Sequence, residues 1–282
     1  MQRIGILSRP DTEPAWDLAR RAAAWLGDQG VEVALDPGSV PAGAPSPIEV
    51  RPDLMRWAEL LLVLGGDGTL LHAVQAAGQA GLPILAVNLG RLGFLSDVDP
   101  DALFPAIERV LDGDYQVEER MLLAASLVRG PGANQGFTAL NDVVVSKGAL
   151  ARMIGFTTFV DGAELGSFRA DGLIVATPTG STAYNLSAGG SIVAPNHSSI
   201  LITPICPHAL GVRPVVVGPD ATVDCVLDES GGQAWLNLDG QEAVELREGD
   251  RVRVSRSPAV LRLVRTRGRD FFSLLRAKMR WG

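Results

Sequence analysis

Gly65-Gly66-Asp67-Gly68-Thr69 combines backbone freedom with a single carboxylate. The five residues follow the apolar run Leu60-Leu61-Leu62-Val63-Leu64 and precede a segment of helical apolar spacing that begins near Leu70. That is the setting of a turn from a buried strand into a helix. Glycines let the backbone approach a ligand closely, and the following helix N-terminus offers free amide donors suited to phosphate. A carboxylate is a poor component of a plain anion site, so Asp67 points to a role toward a hydroxyl or a metal ion. Taken alone, the turn is equally well explained by Asp67 capping the helix.

A second constellation changes that balance. Asp171-Gly172-Leu173-Ile174-Val175-Ala176 is an apolar strand that runs into Thr177-Pro178-Thr179-Gly180-Ser181-Thr182-Ala183-Tyr184-Asn185-Leu186-Ser187-Ala188-Gly189-Gly190. So many hydroxyl and amide groups are costly to bury without partners, and they suit a polyhydroxylated, phosphate-bearing ligand such as a nucleotide. A capped turn starting a helix at Ser181 accounts for two or three of them but gives Tyr184, Asn185 and Ser187 no reason to be there. No glycine-rich run ends in Gly-Lys-Ser or Gly-Lys-Thr, and the dinucleotide glycine fingerprint of hydride-transfer enzymes is missing, which disfavours both of those classes.

The elements that position these residues fall into two groups. Residues 3–7, 31–35, 60–64 and 83–87 are short apolar strands, and residues 16–26, the segment from Leu70 and residues 100–111 have helical spacing, so strand and helix alternate. This predicts an α/β N-terminal domain, doubly wound and Rossmann-like, over residues 1–115. Residues 36–47, rich in proline, glycine and serine, read as an irregular surface loop. Beyond Tyr115, short apolar runs at 121–128, 143–146, 154–160, 173–176, 215–217, 221–227 and 252–254 predict a β-rich, sandwich-like C-terminal domain over residues 116–265. Residues 266–282 return to helical spacing, with Phe271, Leu274, Leu275 and Met279 on one side, as a helix packing back on the N-terminal domain.

Composition narrows the function classes. The chain has 282 residues, 46% of them hydrophobic, and a formal charge of −7, which gives no support to nucleic-acid binding. Lys147 and Lys278 are the only lysines, so arginine must do most of the cationic work. Cys206 and Cys225 cannot form a disulfide framework, and Cys206 reads as a buried small apolar residue. No signal-peptide core or membrane-length apolar run is present, and the expectation is a cytoplasmic protein without a membrane partner. His197 and His208, each next to a proline, read as loop residues and not metal ligands. Residues 251–269 are rich in arginine, but Arg251-Val252-Arg253-Val254 alternates as a half-exposed strand does.

The Asp67 turn and the 177–190 run together resemble the NAD kinase family. Asn88-Leu89-Gly90-Arg91-Leu92-Gly93-Phe94-Leu95, Leu140-Asn141-Asp142, Thr203-Pro204-Ile205-Cys206-Pro207-His208, Arg213-Pro214, Leu238-Asp239-Gly240-Gln241 and the tail from Phe272 to Trp281 follow in the family's order. The likeness runs from about Leu60 onward. The Asp67 turn by itself is shared with lipid kinases and phosphofructokinases, whereas residues 171–190 are specific to this family. Carried over by position, the resemblance implies Asp67 as the catalytic aspartate, with Gly68 and His72 beside the bound dinucleotide. It implies Asn141 and Asp142 as a substrate-holding pair and Arg152, Arg169, Asp171 and Gln241 as further contacts. Thr182, Ala183, Tyr184, Asn185, Leu186 and Ser187 would form the wall of the NAD pocket, with Asn185 standing where many members have serine. The family also implies a site between the two domains and a homodimer or homotetramer.

The implied reaction moves a phosphoryl group from ATP or polyphosphate to the 2′-hydroxyl of the adenosine ribose of NAD, with a divalent metal ion, Mg²⁺ by default, bridging donor phosphates. Asp67 has two possible jobs, holding the metal or accepting the hydroxyl proton. An aspartate pKa of about 3.9 lies far below that of an alcohol, which favours orientation of the hydroxyl with late proton acceptance. The amides of Gly66, Gly68 and Thr69 are the expected seat of the donor phosphates. Metal ligands are not recognisable. The rival readings are a lipid or sugar-phosphate kinase using the same turn, and a non-catalytic NAD or NADP sensor.

Overall fold

In a computed structural model the chain is described at residues 1–9, 12–90, 93–96, 98–130, 133–149, 151–266 and 270–281. Arg91 and Leu92 of the 88–95 segment and residues 267–269 of the arginine-rich stretch lie outside the described residues. Two compact units emerge, one formed by Met1–Glu119 with Leu261–Gly282 and the other by Arg120–Val260. The first is therefore discontinuous in sequence.

The first unit opens with β1 (Arg3–Ser8), α1 (Glu13–Asp28), β2 (Glu32–Leu35), β3 (Glu49–Val50), α2 (Leu54–Trp57), β4 (Leu60–Gly65), α3 (Asp67–Ala80), β5 (Pro83–Asn88) and α4 (Leu103–Leu111). The strands pair in parallel in the order β5-β4-β1-β2-β3. Every residue of β4 is buried. This follows from a parallel neighbour on each edge and helices over the faces, and it explains the unbroken apolar run. Pro14 sits in the first turn of α1, and Ala15, Leu18, Ala19, Ala22, Ala23 and Leu26 form its buried stripe.

Two expectations shift here. α3 starts at Asp67 and not near Leu70, because Gly66 adopts the extended N-cap conformation and its carbonyl accepts from Thr69 N at 3.0 Å and Leu70 N at 3.2 Å. Apolar spacing marks where a helix begins to bury a face, which is later than where it begins to hydrogen-bond. The 36–47 loop contains a 3₁₀ turn, Pro37–Ser39, whose Ser39 is buried and accepts from Ser8 N through its hydroxyl at 2.8 Å. That part of the loop is fastened to the end of β1.

The second unit holds β6 (Gln116–Arg129, entering from the first unit), β7 (Ala133–Ala139), β8 (Asp142–Lys147), β9 (Ile154–Val160), β10 (Ala163–Ala170), β11 (Gly172–Ala176), α5 (Tyr184–Ser187), β12 (Ile200–Ile205), β13 (Val215–Val217), β14 (Val223–Glu229), β15 (Ala234–Leu238), β16 (Glu242–Leu246) and β17 (Arg251–Arg265). β13-β12-β11-β8-β15-β16 form one antiparallel sheet. β10-β9-β14 and the start of β17 form a second antiparallel run, and β6 pairs with β7. Inward residues of both layers, among them Val143, Val145, Leu173, Val175, Phe156, Val223 and Val252, share one core. Each such side chain contributes roughly 1.5–3 kcal/mol by leaving water. Arg251 and Arg253 face outward and pair with Asp224 at 3.7 and 2.9 Å, in keeping with the alternating pattern of that strand.

The far end of β17 belongs to the first unit, where Arg262 and Leu263 pair in parallel with Pro83 and Ile84 of β5. α6 (Phe271–Met279) follows, capped by the Asp270 carboxylate, which accepts from Phe272 N at 2.9 Å and Ser273 N at 3.0 Å. Within that unit the Phe271 ring lies 6.1 Å from the Phe94 ring, and Lys278 Nζ lies 4.4 Å from the same ring centre. Among the described residues no helix is long and apolar enough to cross a membrane.

Candidate active site

In the first unit, β4 ends on the buried Gly65, Gly66 follows half-buried as the N-cap, and α3 starts on Asp67. The capping role that the turn allows Asp67 is not the one it has, since the N-cap is Gly66 and no side chain caps the helix. The carboxylate reaches across to a different loop instead. Its Oδ1 accepts from Ser96 Oγ at 3.0 Å and Ser96 N at 3.4 Å, and its Oδ2 accepts from Phe94 N at 3.1 Å. Gly93 makes room for it: a Cβ there would stand 2.1 Å from Asp67 Oδ1. Sequence reading gave Gly93 and Phe94 only as part of the family-like 88–95 segment and did not reach Ser96, because Phe94 and Ser96 lie 27 and 29 residues along the chain from Asp67.

The amide set proposed for donor phosphates is partly engaged. Thr69 N donates to Gly66 O, so its place in that set does not hold in this structure. The amides of Asp67 and Gly68 occupy the first two helical positions, where no preceding turn can accept them. Gly68 is exposed, and a Cβ at Gly66 or Gly68 would meet nothing within 4 Å, so their openness is available to a ligand. His72 is exposed one turn beyond Gly68 on the same helical face.

The second unit contains a pocket of about 360 Å³ lined by Asn141, Asp142, Val144, Ser146, Ala183, Tyr184, Asn237, Asp239 and Gly240. Its frame is the type I′-like hairpin of β15 and β16, with Asp239 at φ 51° and Gly240 at φ 66°. From that turn the Asp239 carboxylate accepts from Leu140 N at 2.8 Å, Asn141 N at 2.7 Å and Asp142 N at 3.0 Å. Thr177 braces the same stretch, donating through Oγ1 to Leu140 O at 2.6 Å and through N to Asn141 O at 2.9 Å. Gly180 lies so close that a Cβ would stand 2.0 Å from Asn141 O. Asn141 and Asp142 are thus held from two sides with their side chains toward the pocket.

Burial, and then the negative charge of Asp239, push the Asp142 carboxyl up to about 7. Burial also raises Asp239, against the opposing effect of its three amide donors. The pocket floor is therefore a carboxyl pair that resists carrying two charges at once.

Of the wall residues proposed from sequence, Ala183 and Tyr184 line this pocket, Tyr184 being 46% exposed. Asn185 does not take part through its side chain. It is 0% exposed, its Nδ2 donates to Ser181 O and Ser191 O at 3.1 Å each, and its Oδ1 accepts from Thr203 Oγ1 at 2.6 Å. Both amide hydrogens and the oxygen are engaged within the protein, so this side chain braces the turn where a wall contact was expected. Thr182 donates to Thr179 O at 3.3 Å, Leu186 is half-buried and Ser187 is exposed. Gln241 is exposed beside Gly240, with its amide closing the hairpin on Leu238 O at 2.9 Å.

Arg152, Arg169 and Asp171 do not line the pocket. Arg152 is exposed, Arg169 pairs with Glu229 at 3.2 Å and Asp171 pairs with Lys147 at 3.3 Å. Cys206 is exposed and takes φ 47°, contrary to the buried reading; Cys225 is the buried one. Sequence reasoning missed Asp239, Gly240, Asn237, Ser146 and Val144 as pocket residues, although Asp239-Gly240 between two alternating runs is a strong hairpin signal.

A parallel α/β unit with a clamped aspartate at an amide-bearing helix start, joined in sequence to a β-sandwich with a polar pocket, defines a phosphotransferase that handles nucleotides. Residues 48–115 match the ATP-NAD kinase N-terminal domain and residues 140–266 the ATP-NAD kinase C-terminal domain, and the chain belongs to the NAD kinase family. It is 44% identical to the NAD kinase of Geotalea daltonii over 282 residues, 100% of this chain and 99% of the relative. It is likewise 44% identical to that of Heliobacterium modesticaldum, with 100% of both chains covered. Among solved structures, yeast NADH kinase complexed with NADH superposes with a TM-score of 0.86 at 30% identity, covering 98% of this chain and 86% of that one. An NAD kinase from Archaeoglobus fulgidus in complex with ATP gives 0.75 at 28% identity, covering 99% of each.

Proposed function

We propose that this protein transfers the terminal phosphoryl group of ATP to the 2′-hydroxyl of the adenosine ribose of NAD, giving NADP and ADP, with Asp67 as the group that handles the hydroxyl proton. The observation that carries this reading is the fixed Asp67 carboxylate beside the open amides of Asp67 and Gly68. A sensor has no need of a carboxylate anchored at such a point. In the transfer, the hydroxyl oxygen bonds to the γ-phosphorus, the bond from that phosphorus to the bridging oxygen of ADP breaks, and the hydroxyl proton passes late to Asp67. Alignment and charge neutralisation supply most of the acceleration.

NAD is placed by this reading against the pocket bounded by Asn141, Asp142, Ala183 and Tyr184, with its hydroxyls facing the carboxyl pair. Among the described residues no group of three or more His, Cys, Asp or Glu gathers as a metal-holding set. We take the ion to be a Mg²⁺ that arrives on the donor phosphates with water ligands, a mode common for that ion and one that needs no cage of protein carboxylates. Such an ion would neutralise charge on the donor. Polyphosphate remains an alternative donor that the same amides would accept. A homodimer or homotetramer in the cytoplasm completes the reading, supported by free cysteines and the family resemblance.

The test is to incubate purified protein with NAD, ATP and Mg²⁺ and follow NADP with an NADP-specific dehydrogenase. NADP formation that needs all three supports the proposal. Tight NAD binding without any NADP, with ATP or polyphosphate, overturns it in favour of a sensor.

A further inference from the structure

We infer that Gly93 and Ser96 are positioning residues for Asp67, forming with the Phe94 amide a clamp that leaves one lone pair of Oδ2 as the proton-accepting position. The inference rests on the functional reading above and deepens it. A carboxylate has about four acceptor positions. Oδ1 receives both the hydroxyl and the amide of Ser96, and Oδ2 receives the amide of Phe94. Three positions are filled from one short loop, and the fourth, on Oδ2, is left for a reacting hydroxyl.

The geometry fixes the carboxylate in rotation as well as in place. Donors on both oxygens hold the plane of the carboxylate, and charge-assisted hydrogen bonds of this kind are stronger than neutral ones. Ser96 is only 1% exposed, so its hydroxyl is not a surface group that happens to lie near. Gly93 is required by contact, since the Asp67 carboxylate fills the space a Cβ would take, with its carbon at 2.7 Å and its Oδ1 at 2.1 Å from that position. A β-carbon there must drive the carboxylate out of the clamp. A misplacement of about 1 Å is enough to cost a reaction on the order of 100-fold.

Steady-state kinetics on Ser96→Ala, Ser96→Thr and Gly93→Ala, with melting temperature and NAD affinity measured alongside, test the clamp. Ser96→Ala is expected to lower kcat roughly 5- to 20-fold with KM for NAD within about twofold, because only the orienting donor is lost. Ser96→Thr, which keeps the hydroxyl, is expected to restore kcat to within about twofold of the native enzyme. Gly93→Ala is expected to lower kcat about 100-fold or more while NAD still binds. A Ser96→Ala enzyme with native kcat, or one in which Thr fails to rescue, overturns the clamp while leaving the kinase reading intact. A native protein that forms no NADP under the same conditions overturns the kinase reading and this inference with it.

Discussion

Replacing Asp67 by asparagine keeps the size of the side chain but removes its charge, and it sets an amide group against the Phe94 N–H that now donates to Oδ2. The variant is expected to bind NAD within about threefold of the native affinity and to lose at least about 100-fold in kcat, the scale of a lost general base. Titration calorimetry with NAD and the coupled NADP assay measure the two quantities. A variant that lost NAD affinity but kept its turnover at saturation would remove Asp67 from the chemistry. Asp142 calls for a different measurement, because its carboxyl is raised to about 7 by burial and by Asp239. Below the ordinary aspartate range both the folded and unfolded chains hold this proton. As pH climbs toward 7 the unfolded chain releases it and the folded one does not, so stability falls, and above 7 the full cost remains. At about 1.4 kcal/mol per pH unit this group lowers stability on the order of 3 kcal/mol between pH 5 and pH 8. Urea unfolding of Asp142→Asn should show a shallower decline over that range; parallel curves for the two proteins would refute the assignment.

Glycines at the level of elements separate packing from ligand approach. Gly180 lies against the Asn141 backbone, where a Cβ would be 2.0 Å from a carbonyl oxygen that cannot turn aside, whereas a Cβ at Gly68 meets nothing. Gly180→Ala should therefore cost about 2 kcal/mol or more and weaken NAD binding, since it pushes the 177–180 turn off the bend at Asn141 that leads into β8. Gly68→Ala should melt within a few degrees of the native protein, and any rise in KM for ATP then reports the donor phosphates at that amide. Thermal melts and donor titrations decide both. The same elements show what sequence can carry. β4 and the Asp67 turn were legible because burial on both faces forces an unbroken apolar run, and the close approach of Thr69 requires glycine at its end. β10 escaped notice because most of its residues are exposed, and β15 because its alternation is short. Asn185 looked like a ligand residue because a local motif cannot reveal that Thr203 and Ser191 occupy its amide. The Asp67 clamp and the Asp239 bracket were illegible for the same reason, since each joins segments far apart in the chain.

At the scale of the molecule, the second unit is continuous and the first is not. Residues 120–260 own a shared two-layer core, and a fragment of that span is expected to fold alone, with a β-sheet circular dichroism spectrum and a cooperative urea transition. Residues 1–119 alone lack both the β17 segment that pairs with β5 and the α6 helix, and should show no cooperative transition. Cooperative unfolding of that fragment, or none for 120–260, would contradict the division.

The discontinuity also sets an order of events during synthesis. Once residues 1–119 have left the ribosome, β5 is the open border of a parallel sheet, and it stays so until residues 262 and 263 arrive to pair with it. At roughly 5–20 residues per second that wait lasts on the order of 10–30 s. Throughout it, the Pro83–Ile84 end of the strand offers backbone groups that β17 has yet to pair, while Val87 and Asn88 can already bridge to Val98; such an open apolar edge is the kind that recruits other chains. The half that bears Asp67 is thus the first to be translated and the last to be finished, and translational pausing within residues 120–260 should raise the share of nascent chains that need a chaperone.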